Sequence, residues 1–180
     1  MDPSNIIRGD ATAGALFSHD EQHRYGLWRR WNASAQTLLW IMLNPSTADE
    51  QQLDPTLRRC ANFSRLWGYG GMGVANIYAL RSTDPKGLWM HTDPIGPDND
   101  EWIAVVCDQY PTIVVGWGAS AMHDRTLSVA RMLKRHARKV FCLGRTKRGE
   151  PRHPLYLRNN ALLEHWGPDE YLNRALQELR

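Results

Sequence analysis

The residues most able to do chemistry in this chain are polar side chains set at the ends of apolar runs. His153 can act as an acid, a base or an electrophilic hydrogen-bond donor. Asn44 can orient a water but cannot itself take its proton near neutrality. Asp49, five residues further on, is either the missing base or the cap of the following helix. Asn76 is the one polar residue within Val74-Ala75-Asn76-Ile77-Tyr78-Ala79-Leu80. A buried amide must be satisfied, so Asn76 is either structural or turned towards a ligand. Trp117 and Gly118 close the segment Gly116-Trp117-Gly118, whose glycines permit close backbone approach to a neighbour or ligand. Neither a GxSxG nucleophile elbow nor a P-loop is present. The cysteines Cys60, Cys107 and Cys142 are odd in number and far apart, with no CxxC pair. That pattern encodes neither a zinc site nor an iron–sulfur cluster; buried free thiols and no metal or other cofactor are expected.

These residues need a scaffold that brings them to one rim. Leu38 to Leu43 is an unbroken apolar run, the pattern of a strand buried on both faces. Pro45 ends it, having no ladder donor and pushing Asn44 towards an extended conformation. Further strands are expected over Met72–Leu80, Thr112–Gly118 and Lys139–Leu143. Between them, Asp54-Pro55 reads as an N-cap followed by proline at the first helical position. The helix it opens carries Leu57, Cys60, Ala61 and Ser64 on one face. Other helices are expected from Asp98 to Tyr110, Ala119 to Ala137, Asn159 to Trp166 and Pro168 onwards. Residues 1–20 read as a loose lead-in to a single domain over 21–180. Arg24 to Trp31 reads as an edge strand forming a β-hairpin with Thr37 to Asn44. Alternating strands and helices imply parallel pairing with right-handed crossovers. The expected fold is therefore α/β: a three-layer α/β/α sandwich with a central four-stranded parallel sheet and an N-terminal edge strand. Ligands of open α/β sheets bind outside the carboxyl ends of the strands, where Asn44, Trp117, Gly118 and the loop to His153 would meet.

The formal charge of +3 is unevenly distributed. Arg131 to Arg158 contains ten Lys or Arg against the single Glu150, whereas the preceding chain has ten against fourteen acidic residues. Such a basic segment is either a solvated face or the footprint of a polyanion such as nucleic acid. No apolar run reaches the ~20 residues of a membrane span, and no signal pattern opens the chain, so a cytoplasmic protein without membrane contact is expected.

Four segments carry a resemblance in chain order. Leu43-Asn44-Pro45-Ser46 resembles the Asn-Pro-Gly motif of mismatch-specific uracil/thymine DNA glycosylases. Asn76 to Leu80 resembles the base-reading strand of that superfamily, and Val115-Gly116-Trp117-Gly118 its Leu-Leu-Trp-Gly strand end. His153-Pro154-Leu155-Tyr156-Leu157 is similar to the His-Pro-Ser-Pro-Leu segment of uracil-DNA glycosylases. Leu43 to Asp49, Asp54-Pro55-Thr56, Arg58-Arg59-Cys60, Gly68-Tyr69-Gly70 and Arg152 to Leu157 more closely resemble a bacterial and phage family of unknown function.

The glycosylase resemblance implies a uracil-DNA glycosylase-like fold and a set of roles. Asn44 positions the attacking water, Asn76 bonds a flipped base with Trp117 and Gly118 beside it, and His153 stabilises the departing base. Leu155 and Tyr156 enter the duplex, and Arg145, Lys147, Arg148 and Arg152 hold phosphates. Serine after Pro45 and the group Asp49, Asp54, Arg58 and Arg59 depart from that pattern. Those arginines either pair with the acids or bind a charged substrate. Phe63, Trp67 and Tyr69 are available to stack on a base. Three functions remain open: a DNA glycosylase, a non-catalytic binder of nucleic acid or nucleotide, and an enzyme acting on a free nucleotide.

Overall fold

A computed structural model describes residues 1–46, 52–137 and 139–178. Among these are eight strands, five α-helices and one short 3-10 helix. The strands are β1 (Ile6–Gly9), β2 (Ala13–Phe17), β3 (Arg24–Arg30), β4 (Thr37–Met42), β5 (Gly71–Asn76), β6 (Ile113–Val115), β7 (Val140–Cys142) and β8 (Glu164–His165). The helices are α1 (Pro55–Leu66), α2 (Pro85–Met90), α3 (Asn99–Gln109), α4 (His123–His136) and α5 (Pro168–Glu178).

The strands form one mixed sheet in the order β1-β2-β3-β5-β4-β6-β7-β8. Pairings β5–β4, β4–β6 and β6–β7 are parallel. Antiparallel pairings extend this block through β3, β2 and β1 on one side and β8 on the other. The sheet thus has eight strands, where four parallel strands and one edge strand were expected.

β4 shows why its sequence is continuously apolar. Leu39, Ile41 and Leu43 enter an apolar cluster with Ile103 and Val106 of α3, Val129 and Leu133 of α4, and Tyr171 of α5. Leu38, Trp40 and Met42 enter a second cluster with Leu57, Cys60, Ala61 and Phe63 of α1. Alternate side chains of one strand therefore fill two cores, which a half-exposed strand could not do. The Trp40 indole N–H donates to Ser64 Oγ at 3.0 Å, and that hydroxyl donates to the Cys60 carbonyl at 2.8 Å. This supplies the polar partner a buried indole requires.

Local signals at α1 behave as their chemistry demands. Asp54 is the N-cap, its carboxylate accepting from the Leu57 N–H at 2.7 Å, and Pro55 takes the first helical position. Cys60, Cys107 and Cys142 are buried and unlinked.

Three expectations are corrected. Residues 1–20 are not a loose lead-in: they contain β1 and β2, paired with each other, and β2 pairs in turn with β3. β3 and β4 do not form a hairpin, because β5 lies between them. The link between them crosses the start of β5, with Trp31 and Asn32 N–H both donating to the Gly70 carbonyl and Gly70 N–H to that of Gln36. Finally, Asn159 to Trp166 is not helical; its Glu164-His165 pair against Cys142 and Phe141 as the edge strand β8. No helix among the described residues is long and apolar enough to cross a membrane.

Candidate functional site

A cavity of about 550 Å³ opens where the parallel strands end. Its wall takes Asn44 from just past β4, Asn76 from the last position of β5, Trp117 and Gly118 from beyond β6, and Arg152, His153, Leu155 and Tyr156 from the segment that follows β7. Residues widely separated in sequence are thereby brought to one place.

The hairpin-like turn after β7 delivers His153. Arg145 bridges Pro151, Thr146 N–H donates to the Glu150 carbonyl at 2.8 Å, and Arg152 N–H to that of Gly144 at 2.9 Å. Gly118 N–H then donates to the Pro151 carbonyl at 2.9 Å, tying this turn to the end of β6. Two glycines make the approach possible. A Cβ on Gly116 would stand 3.1 Å from Pro154 Cδ. Gly118 has φ of +77° and a position where a Cβ would lie 3.3 Å from that of His153.

His153 is half-buried and caps the 3-10 helix Pro154–Tyr156, its Nδ1 accepting from the Leu155 N–H at 3.4 Å. With Nδ1 acting as acceptor, the proton of the neutral ring resides on Nε2. Burial holds the imidazole below its ordinary value, opposed by the negative charge of Asp54. The ring lies 5.7 Å from that of Tyr156, centroid to centroid.

Asn44 is fixed through its amide. Nδ2 donates to the Pro45 carbonyl at 3.0 Å and to the Ser82 carbonyl at 2.8 Å. Both amide hydrogens are thus engaged, leaving Oδ1 as an acceptor; the opposite orientation would set oxygen against two carbonyl oxygens. Asn76 shows the converse. It is 2% exposed, lines the cavity, and its Nδ2 has no hydrogen-bond partner. An unpaired buried donor costs on the order of 1–3 kcal/mol, a cost a ligand acceptor would relieve.

The Trp117 indole forms part of a buried network rather than standing free. Its Nε1–H donates to Glu150 Oε2 at 2.7 Å, and Tyr171 O–H reaches Glu150 Oε1 at 2.6 Å. Its ring packs edge-on against Trp166 at 5.5 Å.

The other expected residues divide. Asp49 lies outside the described residues. Of the four basic residues, Arg152 lines the cavity. Arg145 turns away, donating to the His165 carbonyl at 2.9 Å and standing 3.7 Å from Glu170 of α5. Lys147 and Arg148 are exposed on the intervening turn. Leu155 is 37% and Tyr156 80% exposed at the cavity wall. Arg58 Nε donates to the Leu53 carbonyl at 2.8 Å, whereas Arg59 bonds the Leu157 carbonyl and Asn159 Oδ1. Among the described residues, these contacts go to main-chain carbonyls and to Asn159, and neither arginine is ion-paired with Asp54. Phe63 and Trp67 stack on each other at 5.3 Å beside Trp40, beneath α1. Neither they nor Tyr69 belong to the cavity wall, whose aromatic rings are Trp117, His153 and Tyr156.

The wall also contains Arg24 and Thr146, given no site role from sequence, and Ser46 and Asp54, noted there only as a cap or as departures from the glycosylase pattern. Asp54 is the one acidic side chain among the described lining residues. A carboxylate capping the first helix after the rim loop necessarily sits at that rim, so its cap signature was the available clue. Arg24 had none, because its place depends on long-range contacts, pairing with Phe17 of β2 and donating its N–H to the Ala79 carbonyl beyond β5. Among the described residues, no cluster of three or more His, Cys, Asp or Glu forms a metal site.

No curated protein and no solved structure matches the chain. A family model described as "Protein of unknown function (DUF1643)" matches residues 24–155, a span that includes β3 to β7 and every described lining residue except Tyr156. The chain belongs to the DUF1643 family of proteins of unknown function.

Proposed function

We propose that this protein hydrolyses the N-glycosidic bond of a damaged, mismatched or modified base in DNA, on a uracil-DNA glycosylase-like arrangement of the parallel strands. The observation that carries this reading is the meeting of all four glycosylase-like segments at one cavity, through Asn44, Asn76, Trp117-Gly118 and His153. Asn44 Oδ1 orients the attacking water, and the unpartnered Asn76 Nδ2 donates to an acceptor on the extruded base. His153 Nε2–H faces the departing base and offsets the charge that develops on it. Exposed Leu155 and Tyr156 hold the base out of the stack, while Arg152 and the exposed Lys147 and Arg148 contact phosphates.

Purified protein should release free base from oligonucleotides carrying a mismatched or modified base. Asn44→Ala and His153→Ala should each slow release at least ~100-fold, the usual scale for losing a positioned acid–base group. Absence of release from single- and double-stranded substrates spanning uracil, hypoxanthine and alkylated bases would refute the reading.

Arg24 favours a second reading, a free nucleotide as ligand. This buried guanidinium lines the same cavity as Arg152, a setting suited to a phosphate. In that case a nucleoside monophosphate raises the melting temperature more than an oligonucleotide does.

A further inference from the structure

Glycosidic hydrolysis by water needs an atom that accepts the water's proton, and the roles assigned above provide none. Asn44 cannot accept it. In its proposed role His153 donates from Nε2–H, with Nδ1 occupied by the Leu155 N–H at 3.4 Å. Asp54 is the remaining titratable acceptor among the described lining residues.

We infer that Asp54, the N-cap of α1, is the general base of this site. The inference rests on the N-glycosidase reading. Its carboxylate is held from two sides: Oδ1 accepts from the Leu57 N–H at 2.7 Å, and Oδ2 accepts from Ser46 Oγ in the rim loop. Each oxygen keeps further acceptor capacity beyond these bonds. The group is half-buried in the cavity wall, and its charge is felt at His153. A single wall thus offers a water-orienting oxygen on Asn44, a proton acceptor on Asp54 and a donor on His153.

The step balances without another reactant. Water oxygen bonds to C1′ as the C1′–N bond breaks, its electron pair leaving on the base nitrogen. The water proton passes to the Asp54 carboxylate, and a proton returns through solvent to the departed base. The products are a sugar hydroxyl and a free base. A carboxylate suffices because C1′ is already electron-deficient in such a transition state, so the attacking water needs only late deprotonation.

The test separates cap from base. Asp54→Asn and Asp54→Ser both retain a side-chain oxygen able to cap Leu57 N–H, but neither accepts a proton. Single-turnover base release is measured on oligonucleotides containing uracil, hypoxanthine or an alkylated base, alongside each variant's melting temperature. Both variants should fold with melting temperatures near that of the wild type and release base at least ~100-fold more slowly. Folded variants within threefold of the wild-type rate would overturn the role of Asp54 while leaving the glycosidase reading intact. A wild-type protein that releases no base from any substrate would overturn both. Should Asp54→Asn not fold, Asp54→Ser decides alone.

Discussion

Two asparagines at this site are prepared in opposite ways. Asn44 has spent its donor hydrogens on the Pro45 and Ser82 carbonyls and offers an acceptor, whereas Asn76 retains a buried donor without a partner. The imidazole opposite them is tuned by two competing effects, burial lowering its proton affinity and Asp54 raising it, with burial the larger. The His153 midpoint followed by NMR should therefore fall below 6.5, and Asp54→Asn should lower it further by removing the opposing charge. The linked stability has a defined sign. Because the folded state binds this proton less readily than the unfolded chain, the contribution is complete above 6.5 and is lost as pH falls through the folded midpoint. His153→Gln should remove that part of the acid sensitivity in urea unfolding at several pH values. The polar character of Asn44 and His153 at the rim was legible in the sequence because each interrupts or follows an apolar run. Asp54 was legible only as a cap, since nothing in a linear pattern distinguishes a carboxylate that caps from one that also faces a cavity.

Secondary elements here are joined through polar groups as well as apolar contact. Glu150 is the clearest instance: its buried carboxylate takes Trp117 N–H from the end of β6 and Tyr171 O–H from α5. The Tyr171 hydroxyl also lies 2.7 Å from Thr126 Oγ1 of α4. Burial beside that carboxylate pushes the phenol strongly up, keeping it protonated at working pH. Tyr171→Phe should destabilise the protein by roughly 1–3 kcal/mol in urea titration, because Glu150 Oε1 and the Thr126 hydroxyl both lose a buried partner. A smaller loss would mean that water enters the vacated space. This network also explains which elements could be foreseen. β4 and α1 declare themselves through an unbroken apolar run and a Pro-preceded cap with a helical stripe. β8 has two exposed residues and owes its conformation to pairing with Phe141 and Cys142. Likewise β1 exposes Arg8 and Gly9 and packs few apolar groups, so β2 rather than its own composition makes it a strand.

At the level of the molecule, the sheet separates duties. Its parallel interior supplies the site from strand ends, whereas β1, β2 and β8 contribute none of the described lining residues. The strand class of each interior segment followed from sequence; its neighbours did not, because pairing across β5 depends on contacts made only in the folded chain. That displaced neighbour has a kinetic consequence. β3 and β4 are joined by a short link and are free to zip together as soon as both exist, yet the native sheet requires β5 to enter between them. A direct β3–β4 hairpin would form on the microsecond scale, well before α1 can return β5 to its place. Such a hairpin must reopen before the chain proceeds, so locally favourable pairing becomes a trap. Stopped-flow refolding should show Val74→Ala in β5 slowing folding, whereas Ala15→Gly in β2 chiefly speeds unfolding. Stiffening the turn at Asn32 to Ala35 in favour of a tight hairpin should retard refolding while leaving unfolding nearly untouched.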